Sequence, residues 1–400
     1  MIPNETYDVV VVGARVAGSP TAMLLARAGY RVLLLERARF PRDTLSTLLI
    51  HQPGVALLKR WGVLPAVVDT GCPPIERASY TVADVRLEGC SWAVDGVRAA
   101  FAPRRYLLDS VLAQAAVDAG AEFRDDSTVL GLTFDGDRVT GVRVRSGPTE
   151  YTVRAGLVVG ADGMRSTVAA KVGAPIEIED PTLSCAYYTY WSDLPQRFRL
   201  HEAPGSWVGT IPTNDGATLV GAYFPQDRFK QLRGDGLAAL LGAVEHTAPQ
   251  LREEMAGGRM LERLHGTGDQ RNFFRKATGP GWVLVGDAGH HKDSITARGI
   301  TDAFRQVQLL VDCVGDALHD PQRLGRALDS FAAQRHDLLI TDYRNTLGTA
   351  ALATGRHQIA LLRAISSSPE LTDRYFAAMS GACPADEFVT PELLDLLAVT

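Results

Sequence analysis

The chain has 400 residues, enough for two or three lobes around a large core. Its 46% hydrophobic and 22% charged residues are ordinary for a soluble globular protein, and a net charge of -5 argues against a nucleic-acid surface. Scattered cysteines without C-x-x-C spacing argue against a disulfide or zinc framework, and neither a leader segment nor a membrane-length apolar run is seen, so a soluble cytoplasmic protein is expected.

Residues 7–36 read YDVVVVGARVAGSPTAMLLARAGYRVLLLE. Tyr7 to Val12 predict a strand, Gly13 to Gly18 a tight turn, Ser19 to Ala28 a helix, and Arg31 to Leu35 a second strand ending in Glu36. This is a βαβ unit with a glycine turn at its first strand–helix junction and an acid about twenty residues on, the fingerprint of a dinucleotide site. Gly13 permits the sharp turn and Gly18 lets helix and sheet approach. The helix start then offers N–H groups and a positive dipole end to a pyrophosphate. Glu36 is placed to accept from the adenosine ribose. Arg15 stands where the fingerprint has its middle glycine, so it is expected to point outward or to add a cation beside the pyrophosphate.

Further along, FPRDTLST follows Glu36, and Gly54–Trp61 predicts a helix. Short alternating segments over 76–99 predict strands, Leu107–Ala119 a helix, and Glu122–Val153 a β-meander with hairpin turns at Asp135-Gly136-Asp137 and Ser146-Gly147-Pro148. Two more strands run into turns, GLVVGADGMRS (156–166) and GWVLVGDAGHH (281–291). In an open α/β sheet such turns can face the same crevice as Gly13. Their aspartates would accept from sugar hydroxyls, although Asp-Gly and Gly-Asp also simply favour turns. Between them, CAYYTYW, GSWVGTIPTNDG and ATLVGAYF predict antiparallel strands, with Asn214-Asp215-Gly216 as a hairpin signal. Tyr188, Tyr190, Trp207 and Tyr223 are candidates to line a substrate pocket there, against a plain core or rim role for each. From Pro321 to about Met379 the chain reads as helical.

GARVAG with Glu36, GADGMRS and GDAGHHKDSITARGI, in this order, resemble the single-component flavoprotein monooxygenases of the para-hydroxybenzoate hydroxylase fold. That superfamily includes flavin-dependent halogenases and geranylgeranyl-type reductases, and the resemblance covers about residues 1–330. It implies an α/β fold: a Rossmann-like FAD-binding three-layer domain (1–75, 100–180 and 265–330), an antiparallel substrate lobe (76–99 and 181–264) and a C-terminal helical region (331–400). It also implies FAD as cofactor. Gly13, Arg15, Gly18, Glu36, Arg37, Arg42, Arg105 and Val129 would then lie at the cofactor. Asp162 and Gly163 would sit in a turn tied to FAD and nicotinamide binding, and Asp287 on the ribityl chain. Gly299 and Ile300, opening a helix, would present N–H groups to the flavin pyrimidine ring. A surface cation is the alternative for Arg42, and a helix-start arginine for Arg105. The chain departs from the family pattern at Ser294, Thr301 and Asp302, and at His290 and His291, of which one is expected in solvent and one beside the cofactor.

No second G-x-G-x-x-G occurs, which suits transient binding of NAD(P)H. The implied cycle is reduction by NAD(P)H, formation of a flavin C4a-hydroperoxide with O2, and oxygen transfer to an aromatic or polyketide-like small molecule. No catalytic residue is singled out. A double-bond reductase is one alternative. A halogenase served by an external flavin reductase is another, because SWVGTIP partly matches the W-x-W-x-I-P signature, with Gly209 at its second tryptophan. A non-catalytic flavin-binding protein is the remaining class.

Overall fold

The computed structural model describes residues 5–391, 393 and 394. Residues 1–4, 392 and 395–400, parts of the expected first and last segments, lie outside the described residues. The opening apolar run forms β1 (Glu5–Val12), followed by α1 (Gly18–Arg27) and β2 (Val32–Leu35). Helices α2 (Gln52–Arg60) and α3 (Leu64–Val68) lead into the hairpin of β3 (Arg77–Val82) and β4 (Val85–Cys90). Helix α4 (Arg105–Asp118) precedes β5 (Glu122–Arg124), β6 (Ser127–Asp135), β7 (Arg138–Ser146), β8 (Thr149–Gly160) and α5 (Thr167–Lys171). After β9 (Ile176–Asp180) come β10 (Ser184–Trp191), β11 (Phe198–Ala203), β12 (Ser206–Pro212) and β13 (Thr218–Pro225), then α6 (Phe229–Leu232), α7 (Gly236–Thr247) and α8 (Pro249–Met255). Short strands β14 (His265–Thr267), β15 (Asn272–Arg275), β16 (Thr278–Gly279), β17 (Trp282–Leu284) and β18 (His290–His291) follow. Helices α9 (Gly299–Val314), α10 (Pro321–Ala350), α11 (Arg356–Ser366), α12 (Pro369–Ser380) and α13 (Ala385–Phe388) close the described chain.

The first sheet has the order β16-β17-β8-β1-β2-β5, with β7 and β6 continuing from β8. Because side chains alternate across a strand, β1 feeds both faces. Val9 and Val11 enter a core with α1, α2, α4 and α9, while Val10 and Val12 face Val139, Val142 and Val144 of β7 and Val168 of α5. Helices, parallel strands and the meander therefore make three layers. The second sheet runs β14-β10-β13-β12-β11-β3-β4 and is antiparallel except where β11 lies parallel to β3.

Three features differ from the sequence expectation. The meander and the strand before Ala161 are one twelve-residue strand, β8, whose start pairs with β7 and whose length runs along β1. Strand β11 was not expected, and neither were helices α6 to α8 within 181–264. Asp235 caps α7 by accepting from the Ala238 N–H at 3.0 Å. In the C-terminal helices, Ile365, Leu371 and Phe376 share a core with Tyr80, Val82, Leu87 and Trp207. Among the described residues no helix is long and apolar enough to cross a membrane.

Candidate active site

The three strand-to-turn junctions meet. Gly13 has φ +100°, and a Cβ there would lie 2.5 Å from the Ala161 carbonyl oxygen. A Cβ on Gly18 would stand 1.7 Å from the Gly13 carbonyl oxygen, so both glycines are required by close backbone approach. A Cβ on Gly286 would come within 2.8 Å of Ala17, which brings the third turn against the start of α1. Helix α1 has no side-chain cap and no acid in its first turn. The carboxylate of Glu36, 5% exposed, accepts from the Ala14 N–H at 3.1 Å and the Ala38 N–H at 3.0 Å, so it is fixed against the glycine turn.

Arg15 leaves the turn toward α4. Its guanidinium pairs with Asp109 at 3.0 Å and donates to the Arg42 carbonyl at 3.3 Å. Arg105 reaches the same carboxylate at 3.1 Å. Burial pushes the Asp109 carboxyl up, and the two guanidiniums pull it back. Arg37 and Arg42 are exposed, and Val129 is buried beneath the sheet with Val10 and Val12.

Asp162 is used locally. It accepts from Ser166 Oγ at 2.5 Å and from the Thr167 and Val168 N–H groups at 2.6 and 3.2 Å, capping α5. Gly163, at φ +81°, carries the turn onward. Asp287 is exposed in the third turn. Gly299 is exposed at the start of α9, nothing stands within 4 Å of where its Cβ would be, and Ile300 behind it is buried. Helix α9 likewise has no side-chain cap. Two uncapped helix starts, a buried acid and three glycine-bearing turns form a donor and acceptor set that fits a dinucleotide with a pyrophosphate, a ribose and an anion-forming ring.

Beside α9 lies a cavity of about 360 Å³. Sheet residues Tyr80, Tyr188, Trp207 and Tyr223 line one side. Residues 295–298, just before Gly299, form the end next to the helix start, and α10 and α12 close the opposite side. Tyr190 does not line it. It lies farther along β10, buried under the Arg104 guanidinium, 3.9 Å from its ring centroid. Arg104 also pairs with Asp43 and Glu262, each at 2.7 Å.

Sequence reasoning missed His51 and the α10 residues Asp342, Asn345, Thr346 and Thr349, all of which line the cavity. Their i, i+3, i+4, i+7 spacing is a polar helix stripe, a pattern normally read as a solvent face. Behind the cavity end, buried Lys292 pairs with Asp302 at 2.8 Å, and Arg298 with Asp342 at 2.7 Å. Burial and the Arg298 charge push His51 down to about 4. His290 is buried against Phe274, with ring centroids 4.4 Å apart, and half-buried His291 faces the Arg271 carbonyl. No cluster of metal-ligating side chains occurs among the described residues.

The model of a family described as FAD binding domain matches residues 6–338. Digeranylgeranylglycerophospholipid reductase of Methanosarcina mazei is 26% identical, covering 98% of this chain and 92% of that protein. For 6-methylpretetramide 4-monooxygenase of Streptomyces rimosus the identity is 27%, with coverage of 82% and 80%. Tryptophan 2-halogenase of Chondromyces crocatus is 26% identical, with coverage of 77% and 60%. A flavoprotein/dehydrogenase from Cytophaga hutchinsonii superposes with a TM-score of 0.84 at 19% identity, covering 99% and 98% of the two chains, which establishes likeness of fold.

Proposed function

The chain belongs to the FAD binding domain family of flavin-dependent oxidoreductases, and from that premise we propose that it is a monooxygenase using NAD(P)H and O2 on an aromatic or polyketide-like small molecule. The observation that carries this reading is the aromatic-walled cavity ending at residues 295–298, directly before the α9 start that would face the flavin ring. FAD, when bound, supplies hydride acceptance and oxygen activation. The protein's own part is placement. Glu36 and the start of α1 would hold the adenosine diphosphate end, and the N–H groups of Gly299 and Ile300 would favour negative charge on the ring. The sheet aromatics and α10 keep water from the reacting face.

No lysine lines the cavity among the described residues, and Lys292 is held by Asp302, which weighs against a halogenase and its external reductase. The reductase reading draws on the 26% identity to the Methanosarcina mazei enzyme along nearly the whole chain. The test is to add NADPH to the flavin-loaded protein without oxygen and then admit air. Bleaching followed by rapid re-oxidation supports the monooxygenase. Reduced flavin that persists in air supports the reductase, and no bleaching even with aromatic candidates present returns the halogenase.

A further inference from the structure

Lys292 stands where the chain leaves β18, and its ammonium is enclosed. Its side chain is 4% exposed, and its ionic partner at 2.8 Å is Asp302, itself 2% exposed. Asp302 lies in the first turn of α9. Side chains of a helix lean toward its N-terminus, so this carboxylate lies back over the helix start at Gly299 and Ile300. A buried pair of this kind adds little stability, because the desolvation of two ions offsets their attraction. Its position has another consequence. A helix start favours negative charge, and Asp302 brings a negative charge of its own to that field.

The pair is held in place from both sides. Asp293, next to Lys292, accepts from the Ser184 hydroxyl at 2.7 Å and the Ile295 N–H at 3.1 Å, and its own N–H donates to Asn272 Oδ1 at 2.7 Å. Arg298 Nε stands 3.9 Å from Asp302, and Arg305 Nη1 stands 4.0 Å from it. From α10, Asp342 pairs with Arg298 at 2.7 Å and with Arg305 at 3.4 Å. Three cations and two carboxylates thus share the cluster, an excess of one positive charge. The neighbouring imidazoles add nothing to it, since burial pushes both His51 and His290 down. Burial pushes the Asp302 carboxyl up, but Lys292 and Arg298 outweigh it and hold the group below the usual carboxylate range. Burial pushes the Lys292 ammonium down, and Asp302 opposes that shift.

We propose that Lys292 is a positioning residue for charge: by answering Asp302, it keeps the start of α9 electropositive and so raises the reduction potential of the flavin bound there. The inference rests on the FAD reading of the α9 start. Lys292 needs no contact with substrate or flavin for this role, because a buried charge acts at a distance through a low-dielectric interior. Without Lys292 the cluster would lose its positive excess. Asp302 would then present an unanswered charge beside the N–H groups that favour negative charge on the ring.

The measurement is the two-electron midpoint potential of the bound flavin, read by dye equilibration without substrate, oxygen or NADPH. K292M is expected to lose at least about tenfold in preference for reduced over oxidised flavin, which is about 30 mV toward negative potential. D302N is expected to move the potential the opposite way, and K292M/D302N to return it close to the wild-type value. K292R keeps the charge and should keep the potential. Urea denaturation of each variant reads stability separately. Where K292M retains too little flavin to titrate, D302N and the double variant decide. A preference within about twofold of wild type in these variants, or a shift as large in K292R as in K292M, would overturn the inference and leave Lys292 a structural residue. A wild-type protein that holds no flavin would instead remove the FAD reading on which the inference rests.

Discussion

Asp109 is fully buried and answers two guanidiniums, Arg15 and Arg105. Removing the carboxylate strands two cations at the turn, and breaking such a pair costs about 3 kcal/mol or more. D109N is therefore expected to lower the unfolding free energy read from urea denaturation by that amount and to reduce the flavin retained through purification. The sequence marks Arg15 and Arg105 by their place in motifs. It does not reveal that they share an acid, because ion pairing depends on how α1 packs on α4. His51 has a different consequence. It is neutral in the fold, held down to about 4, whereas an unfolded histidine takes a proton below about 6.5. The unfolded chain thus binds more protons between those limits, and stability falls as pH drops from about 6.5 to about 4, by up to about 3 kcal/mol. His201, also pushed down to about 4, adds a slope of the same sign. H51Q should make the decline of denaturation midpoint with falling pH shallower, and an unaltered slope would show that His51 is not protonated on unfolding in this range.

Among the elements, the glycine turn and α1 are the most legible, since strand, turn, helix and acid each leave a local signature. Gly18 has no room for a methyl group: its Cβ would stand 1.7 Å from the Gly13 carbonyl oxygen. G18A is expected to shift α1 off the sheet and abolish flavin absorbance in whatever soluble protein is recovered. Strand β11, FRLHEA, was invisible for a physical reason. Its alternation is short and polar, and beside its hairpin with β12 it lies parallel to β3, with Phe198 opposite Ala78, far away in sequence. Helix α7, GLAALLGAVEHT, was masked by the aromatic strands before it. Its Ala and Leu content and the Asp235 cap were the available signals. Asp162 illustrates the converse: a turn aspartate of the expected motif whose carboxylate serves α5.

At the scale of the molecule, the cofactor crevice could be anticipated because three motifs share one topological edge, whereas the cavity could not. Its walls come from residues 47 and 51, β3, β10 to β13, the loop before α9, and α10 to α13, and no sequence pattern links these segments. Tyr188 and Tyr190 show the limit of strand periodicity. Both lie on the same face of β10, yet only Tyr188 lines the cavity, because Arg104 covers the other.

The route of the chain has one more consequence. It enters the first sheet with β1 and β2, leaves to place β3 and β4 in the second, and then returns. The exposed turn at Asp95-Gly96 lies between the departure and the return. A protein divided there yields two polypeptides, each holding strands of the first and second sheets and neither holding either of those two whole. Expressed separately, each should be insoluble. Produced together, they should reassemble around β1 between β2 and β8 and recover flavin, giving a split enzyme whose complementation can be followed by its yellow colour.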